Sequence, residues 1–119
     1  MKPFLAITKA LSDETRVRAL LALRDGELCL CQIIYLLGMA PSTVSKHMEL
    51  LYQAGLVERR KQGRWHYFRL AGGEAPPAVQ KAIRWVMDTL ADDALINADA
   101  RQLCCIRQKD LEEISVCYR

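Results

Sequence analysis

The amino-acid sequence predicts a mainly α-helical protein with one small β-hairpin. The expected architecture is a winged helix-turn-helix, paired with a copy of itself through its N- and C-terminal helices. Three observations carry that expectation. Apolar residues recur at helical spacing up to about residue 53, two extended runs flank Gln62-Gly63, and a long amphipathic stretch follows a Gly- and Pro-containing linker.

Phe4, Ile7, Ala10 and Leu11 give a first helix, over residues 3–11, its apolar stripe. Ser12 stands where an N-cap belongs, with Asp13 and Glu14 in the next helix's first turn, facing the positive end of its dipole. Val17, Leu20 and Leu21 form that helix's buried stripe, and Asp25-Gly26 ends it. A third helix is expected over residues 28–37, with Leu30, Ile33, Ile34 and Leu37 inward and Gly38 as the stop. Pro41 suits the first turn of a fourth helix, where its missing N–H costs nothing. Val44, Met48 and Leu51 are that helix's inward stripe, and Gly55 closes it. Helix, short turn and helix, the second polar on its outer side, make a helix-turn-helix.

Leu56 to Leu70 changes character to a β-hairpin whose tip gathers Arg59, Arg60, Lys61 and Arg64, which reads as a wing. Beyond the linker from Gly72 to Pro77, Val79, Ile83, Val86, Met87 and Leu90 mark a long amphipathic helix. A small domain has little core left to cover that stripe, so the helix is expected to pair with its copy or to dock on the N-terminal helix. Residues 1–95 are thus the expected winged-helix and dimerisation domain. Residues 96–119 form a tail with no structural assignment beyond Asn97, carrying Cys104, Cys105 and Cys117.

With 119 residues, 51% of them hydrophobic and 26% charged, the chain is one globular domain and not a disordered segment. A formal charge of +3 permits nucleic-acid binding without arguing for it, so the placement of the charges decides. No export signal opens the chain and no apolar run is long enough to span a membrane, which makes the cytoplasm the expected compartment and leaves no membrane partner. The five cysteines are an odd number in such a setting. Free thiols for metal or redox chemistry fit better than a disulfide framework, although free Cys also serves as a small buried apolar residue. No cysteine has Arg six positions on, and neither a Ser/His/Asp constellation nor a phosphate-binding glycine loop is visible. No catalytic residue is expected, and the protein is not read as an enzyme.

Five ordered motifs resemble one family. Leu11-Ser12-Asp13-Glu14-Thr15-Arg16, Glu27-Leu28-Cys29-Leu30-Cys31, Ser42-Thr43-Val44-Ser45-Lys46-His47, Ala54-Gly55-Leu56-Val57 and Arg60-Lys61-Gln62-Gly63-Arg64-Trp65 are similar to those of the ArsR/SmtB metalloregulators, over about residues 5–95. The resemblance implies a homodimeric winged-helix repressor that releases a double-stranded operator when a toxic metal or metalloid binds. Many arsenic-sensing relatives carry a third cysteine three residues after the second, where this chain has Ile34. The resemblance therefore sends the search for a third thiol to the tail. Cys104 and Cys105 are the candidates to join Cys29 and Cys31, and Cys117, two residues from the end, is expected to be disordered rather than ligating. A zinc site on the last long helix, as in other relatives, is not expected: His47 and His66 lie elsewhere, and Asp88, Asp92 and Asp93 read as a solvated face.

As(III) and Sb(III) are thiophilic, so thiolates are the ligands such inducers select, trivalent organoarsenicals included. A helix N-terminus lowers a cysteine's pKa, which would enrich Cys29 and Cys31 in thiolate. On a regular helix, positions i and i+2 lie roughly 200° apart, so both sulfurs are expected to reach one ion only by unwinding that turn. A coupling of about 1–3 kcal/mol would then weaken DNA binding roughly 5- to 150-fold. The alternatives are a Cd(II)- or Pb(II)-responsive repressor and one triggered by thiol oxidation, both on the same fold.

For DNA, Ser42, Thr43, Ser45 and Lys46 are the expected major-groove contacts on the fourth helix. His47 holds the family position and is expected to bond a phosphate or a neighbouring backbone group. Arg59, Arg60, Lys61 and Arg64 are expected on phosphates or in the minor groove. A dimer would read an imperfect palindrome with half-sites about one helical turn, or a multiple of it, apart.

Overall fold

A computed structural model describes residues 1–115; Cys117 lies outside the described residues. The elements run α1 (Lys2–Ala10), α2 (Glu14–Ala22), β1 (Leu28–Cys29), α3 (Leu30–Leu37), α4 (Pro41–Gln53), β2 (Val57–Gln62), β3 (Trp65–Leu70), α5 (Pro77–Thr89), α6 (Ala94–Ile106) and α7 (Leu111–Ser115). This is the expected mainly α architecture with a wing.

The helical stripes read from the sequence converge on one core. Ala19, Leu20, Ile33, Val44, Met48, Leu51 and Leu56 are fully buried there, so the two helices of the helix-turn-helix are fastened to α2 and to the wing's root. Truncating one of these, as in Leu51→Ala, would cost about 2–5 kcal/mol. Gly38 ends α3 with φ 66°, a left-handed value that glycine adopts without Cβ strain, and the chain turns there into α4.

Four local expectations are corrected. The α2 cap is Asp13, whose carboxylate accepts from the Arg16 N–H at 3.1 Å; Ser12 instead turns back and donates to the Lys9 carbonyl at 2.7 Å. The third helix begins at Leu30, because Leu28 and Cys29 are drawn into the sheet opposite Phe68 and Tyr67. The sheet therefore has three antiparallel strands in the order β1-β3-β2. The hairpin turn is Gly63-Arg64, one position later than expected, since Gln62 pairs with Trp65. Asp93, expected on a solvated face, caps α6 by accepting from the Leu95 and Ile96 N–H groups at 3.0 and 3.1 Å.

Beyond Asn97 the described residues continue α6 to Ile106 and then form α7, and both helices contribute to the core. Leu103, Ile106 and Ile114 are buried in it. Buried Asp99 receives a two-point ion pair from Arg18 of α2, each bond 2.9 Å long. Arg107 donates to the Gly26 and Glu27 carbonyls at 3.1 Å and clamps the end of α6 onto the α2–β1 turn. The α5 helix lies against α1 and buries Val79, Ile83 and Val86, while Trp85 on its outer face stays 65% exposed.

Candidate thiol site and nucleic-acid interface

Cys29 is the last residue of β1 and the N-cap of α3, with extended φ/ψ of −71°/148°. Cys31 is already inside the helix. The change of backbone conformation between them removes the 200° separation of a regular helix, and the two sulfurs lie 3.0 Å apart, Cys31 donating to Cys29. The expected unwinding is thus not needed to bring the pair together. Both thiols are 1% exposed. Gln32, three residues after the cap, accepts from the Cys29 N–H at 2.8 Å and holds the turn closed.

The Cys29 thiol is lowered from 9.0 to about 7. The hydrogen bond from Cys31 is the largest cause. Burial opposes it, and the backbone N–H groups of Cys31, His66 and Gln32 add to it by pointing at the sulfur. A buried thiol with this many donors is a soft nucleophile held ready at neutral pH.

The pair opens onto a pocket of about 210 Å³ lined also by Ile34, Pro41, Trp65, His66 and Ser115. A water molecule occupies about 30 Å³ of liquid, so the space admits a small oxyanion-sized ligand. Pro41 opens the fourth helix, His66 is on the wing strand β3, and Ser115 ends α7. One cavity therefore touches both elements expected to meet DNA. Cys104 and Cys105 are exposed on α6. Among the described residues, no group of three or more His, Cys, Asp or Glu side chains is gathered to hold a metal.

Along α4, Ser42, Thr43, Ser45 and Lys46 are exposed and His47 is half-buried. Arg16, which the sequence reading quoted without a role, is the residue that seats His47. It is 9% exposed and donates to the Ala10 and Lys9 carbonyls at 2.9 and 3.1 Å. Its third contact is His47 Nδ1 at 3.1 Å. A guanidinium only donates, so Nδ1 accepts and the imidazole proton sits on Nε2. Arg16 belongs to α2 and is buried against the end of α1, a packing that was not legible from the local sequence.

A groove of about 560 Å³ separates α4 from the wing, lined by Ser45, Glu49, Tyr52, Arg59, Arg60 and Lys61 among others. Each wing arginine here has a carboxylate partner: Arg59 with Glu49, Arg60 with Glu27 and Arg64 with Glu112. Arg59, Arg60 and Arg64 also stack over Tyr52, Tyr67 and Trp65, at 3.7, 4.3 and 4.5 Å from the ring centroids.

Fold and surface together define a class: a winged helix-turn-helix regulator with a buried dithiol beneath its DNA-reading elements. Residues 13–59 match the model of the family described as bacterial regulatory protein, arsR family. The chain is 36% identical to the arsenic resistance transcriptional regulator ArsR1 of Pseudomonas putida over 98 residues, 82% of this chain and 74% of that one. It is 35% identical to the arsenical resistance operon repressor of Escherichia coli over 106 residues, 87% and 90% of the two chains. Among solved structures, the homodimeric winged helix-turn-helix DNA-binding domain Mb0332 from Mycobacterium bovis superposes with a TM-score of 0.65 at 28% identity, covering 78% of this chain and 82% of that one. The chain belongs to the ArsR family.

Proposed function

We propose that the protein is a transcriptional repressor that binds a palindromic operator as a homodimer and releases it when As(III) or Sb(III) is captured by the thiolates of Cys29 and Cys31. The observation that carries this reading is the shared cavity. A ligand on the two sulfurs contacts the first turn of α4 and the strand of the wing at once. It also takes up the lone pairs that the His66 N–H uses. Relatives named for arsenic resistance support the choice of metalloid. A homodimer accounts for Phe4, Leu5 and Trp85, which are 60%, 51% and 65% exposed on the packed pair α1 and α5. Ser42, Thr43, Ser45, Lys46 and His47 would enter the major groove, with Arg59, Arg60, Lys61 and Arg64 on the backbone. The compartment proposed is the cytoplasm; among the described residues no helix is long and apolar enough to cross a membrane.

A second reading has one observation in its favour. Two sulfurs at 3.0 Å are also placed for oxidation to a disulfide, with two electrons and two protons passing to a peroxide.

The test is fluorescence anisotropy of the fully reduced protein on its own upstream promoter, titrated with arsenite, Cd(II) and hydrogen peroxide. Release by arsenite in the wild type and its loss in Cys29→Ser/Cys31→Ser is the expected result. Release by peroxide alone would replace the metalloid with oxidation, and release by Cd(II) alone would replace it with a divalent soft metal.

A further inference from the structure

The sequence leaves His47 to a phosphate or to a neighbouring backbone group; in the fold its Nδ1 faces a side chain, Arg16 of α2, at 3.1 Å. Arg16 is not free to turn away. Its Nε and one terminal nitrogen donate to the Ala10 and Lys9 carbonyls at 2.9 and 3.1 Å, and its backbone N–H is held by the Asp13 carboxylate. The other terminal nitrogen therefore meets the imidazole from a planar group already anchored on α1. The same Asp13 oxygen lies 4.0 Å from Nδ1, too far for a hydrogen bond.

A guanidinium has donors only, so Nδ1 accepts and the one proton of the neutral ring is on Nε2. Among the described residues Nε2 has no hydrogen-bond partner, and no buried side-chain nitrogen or oxygen lacks one, so this N–H reaches solvent. The His47 side chain is 19% exposed, next to exposed Ser45 and Lys46 on the helix proposed to read DNA.

We propose that Arg16 is a positioning residue for operator binding: it holds His47 as a neutral donor whose Nε2–H is presented to a hydrogen-bond acceptor of the operator, a phosphate oxygen or a base-edge acceptor. The proposal rests on the repressor reading above and adds what His47 can contact. With Nδ1 occupied, the ring offers DNA no acceptor and rejects an amino group on a base edge. With no charge, it releases no counterion on binding, unlike an arginine on a phosphate. Because Arg16 is anchored on the last turn of α1, the setting of His47 follows α1 as well as α4.

Operator affinity of the full-length reduced protein is measured by anisotropy at several salt concentrations for the wild type, His47→Asn, Arg16→Lys and the double variant. Asn keeps an acceptor near the place of Nδ1 for Arg16 but has nothing at Nε2. It should keep the wild-type urea midpoint and bind the promoter about 3- to 10-fold more weakly, the range of one hydrogen bond. Its salt slope should be that of the wild type. Arg16→Lys should weaken binding alone and add nothing to His47→Asn, since its effect passes through the ring. Promoters with single base pairs replaced tell the two acceptors apart. The loss is uniform across sequences for a phosphate and confined to one position for a base. Nitrogen NMR of the wild type at mildly alkaline pH needs no variant. It should show His47 as the Nε2–H tautomer, with exchange of that proton slowed by the promoter. Wild-type affinity in His47→Asn, a salt slope lowered by about 1, additive effects in the double variant, or an Nδ1–H ring each overturns the assignment and leaves the repressor reading standing. Failure of the wild type to bind the promoter overturns both.

Discussion

The backbone N–H of His66, on the wing strand, is among the groups that lower the Cys29 pKa, so the strand bears directly on the first thiol. Tyr67, the next residue of β3, lies opposite Cys29 in the sheet, and Arg60 stacks on the Tyr67 ring at 4.3 Å. On the proposed reading, a metalloid at Cys29 would act beside the wing strand. Amide hydrogen exchange at His66 should quicken when arsenite is added to the wild type, because its acceptor has been taken. In Cys29→Ser/Cys31→Ser the rate should not respond. An unchanged His66 amide in the arsenite-loaded wild type would break this link.

The Cys29 thiol should titrate near its lowered value of about 7, seen as thiolate ultraviolet absorbance, and Cys31→Ala should move the midpoint upward by removing the largest cause. The same shift couples to folding. The folded pKa lies below the ordinary 9.0, so the thiolate's contribution is complete above that value and is lost as pH falls through about 7. Urea stability of the wild type should therefore rise between these limits. The rise should be smaller in Cys29→Ser; equal slopes would contradict the assignment.

Arg16→Ala should destabilise the protein by about 2–4 kcal/mol, since it strips the donor from two carbonyls ending α1 and from His47 in a largely buried site. Arg16→Lys should recover little, because an ammonium cannot span three separate acceptors from one rigid plane. Urea midpoints check both. Operator affinity of the folded fraction should also fall, as His47 loses its fixed tautomer.

Arg60 has Glu27 as its partner, with bonds of 2.9 and 2.6 Å, and on the proposed reading would exchange it for a phosphate on DNA. Glu27→Gln should therefore tighten operator binding, and Arg60→Ala should weaken it while lowering the salt slope by about 1. Anisotropy titrations at several salt concentrations separate the two effects. An unaltered slope in Arg60→Ala would remove this residue from the phosphate contacts.

What could be seen from the sequence was what local pattern governs. The stripes Val44, Met48 and Leu51 or Val79, Ile83 and Val86 state their buried faces outright, and Gly38 states its turn. The Cys29/Cys31 pair was recognisable in its frame, yet its geometry was not. A two-residue strand opposite Tyr67 turns Cys29 out of the helix, and that pairing spans 38 positions. The same holds for Arg18 with Asp99 and Arg107 with Glu27, separated by 81 and 80 positions, which is why the tail's place in the core was invisible. The wing arginines were found as charges. Their carboxylate partners were not, since Arg60–Glu27 and Arg64–Glu112 are contacts 33 and 48 positions apart.

The central claim is that the thiol pair and the operator are coupled sites, and coupling is reciprocal. Arsenite affinity of the reduced protein, measured by calorimetry with and without saturating operator, tests it most directly. Bound operator should weaken arsenite binding by the factor by which arsenite weakens operator binding, about 5- to 150-fold. Equal arsenite affinities in the two states would show that the thiols bind without switching anything.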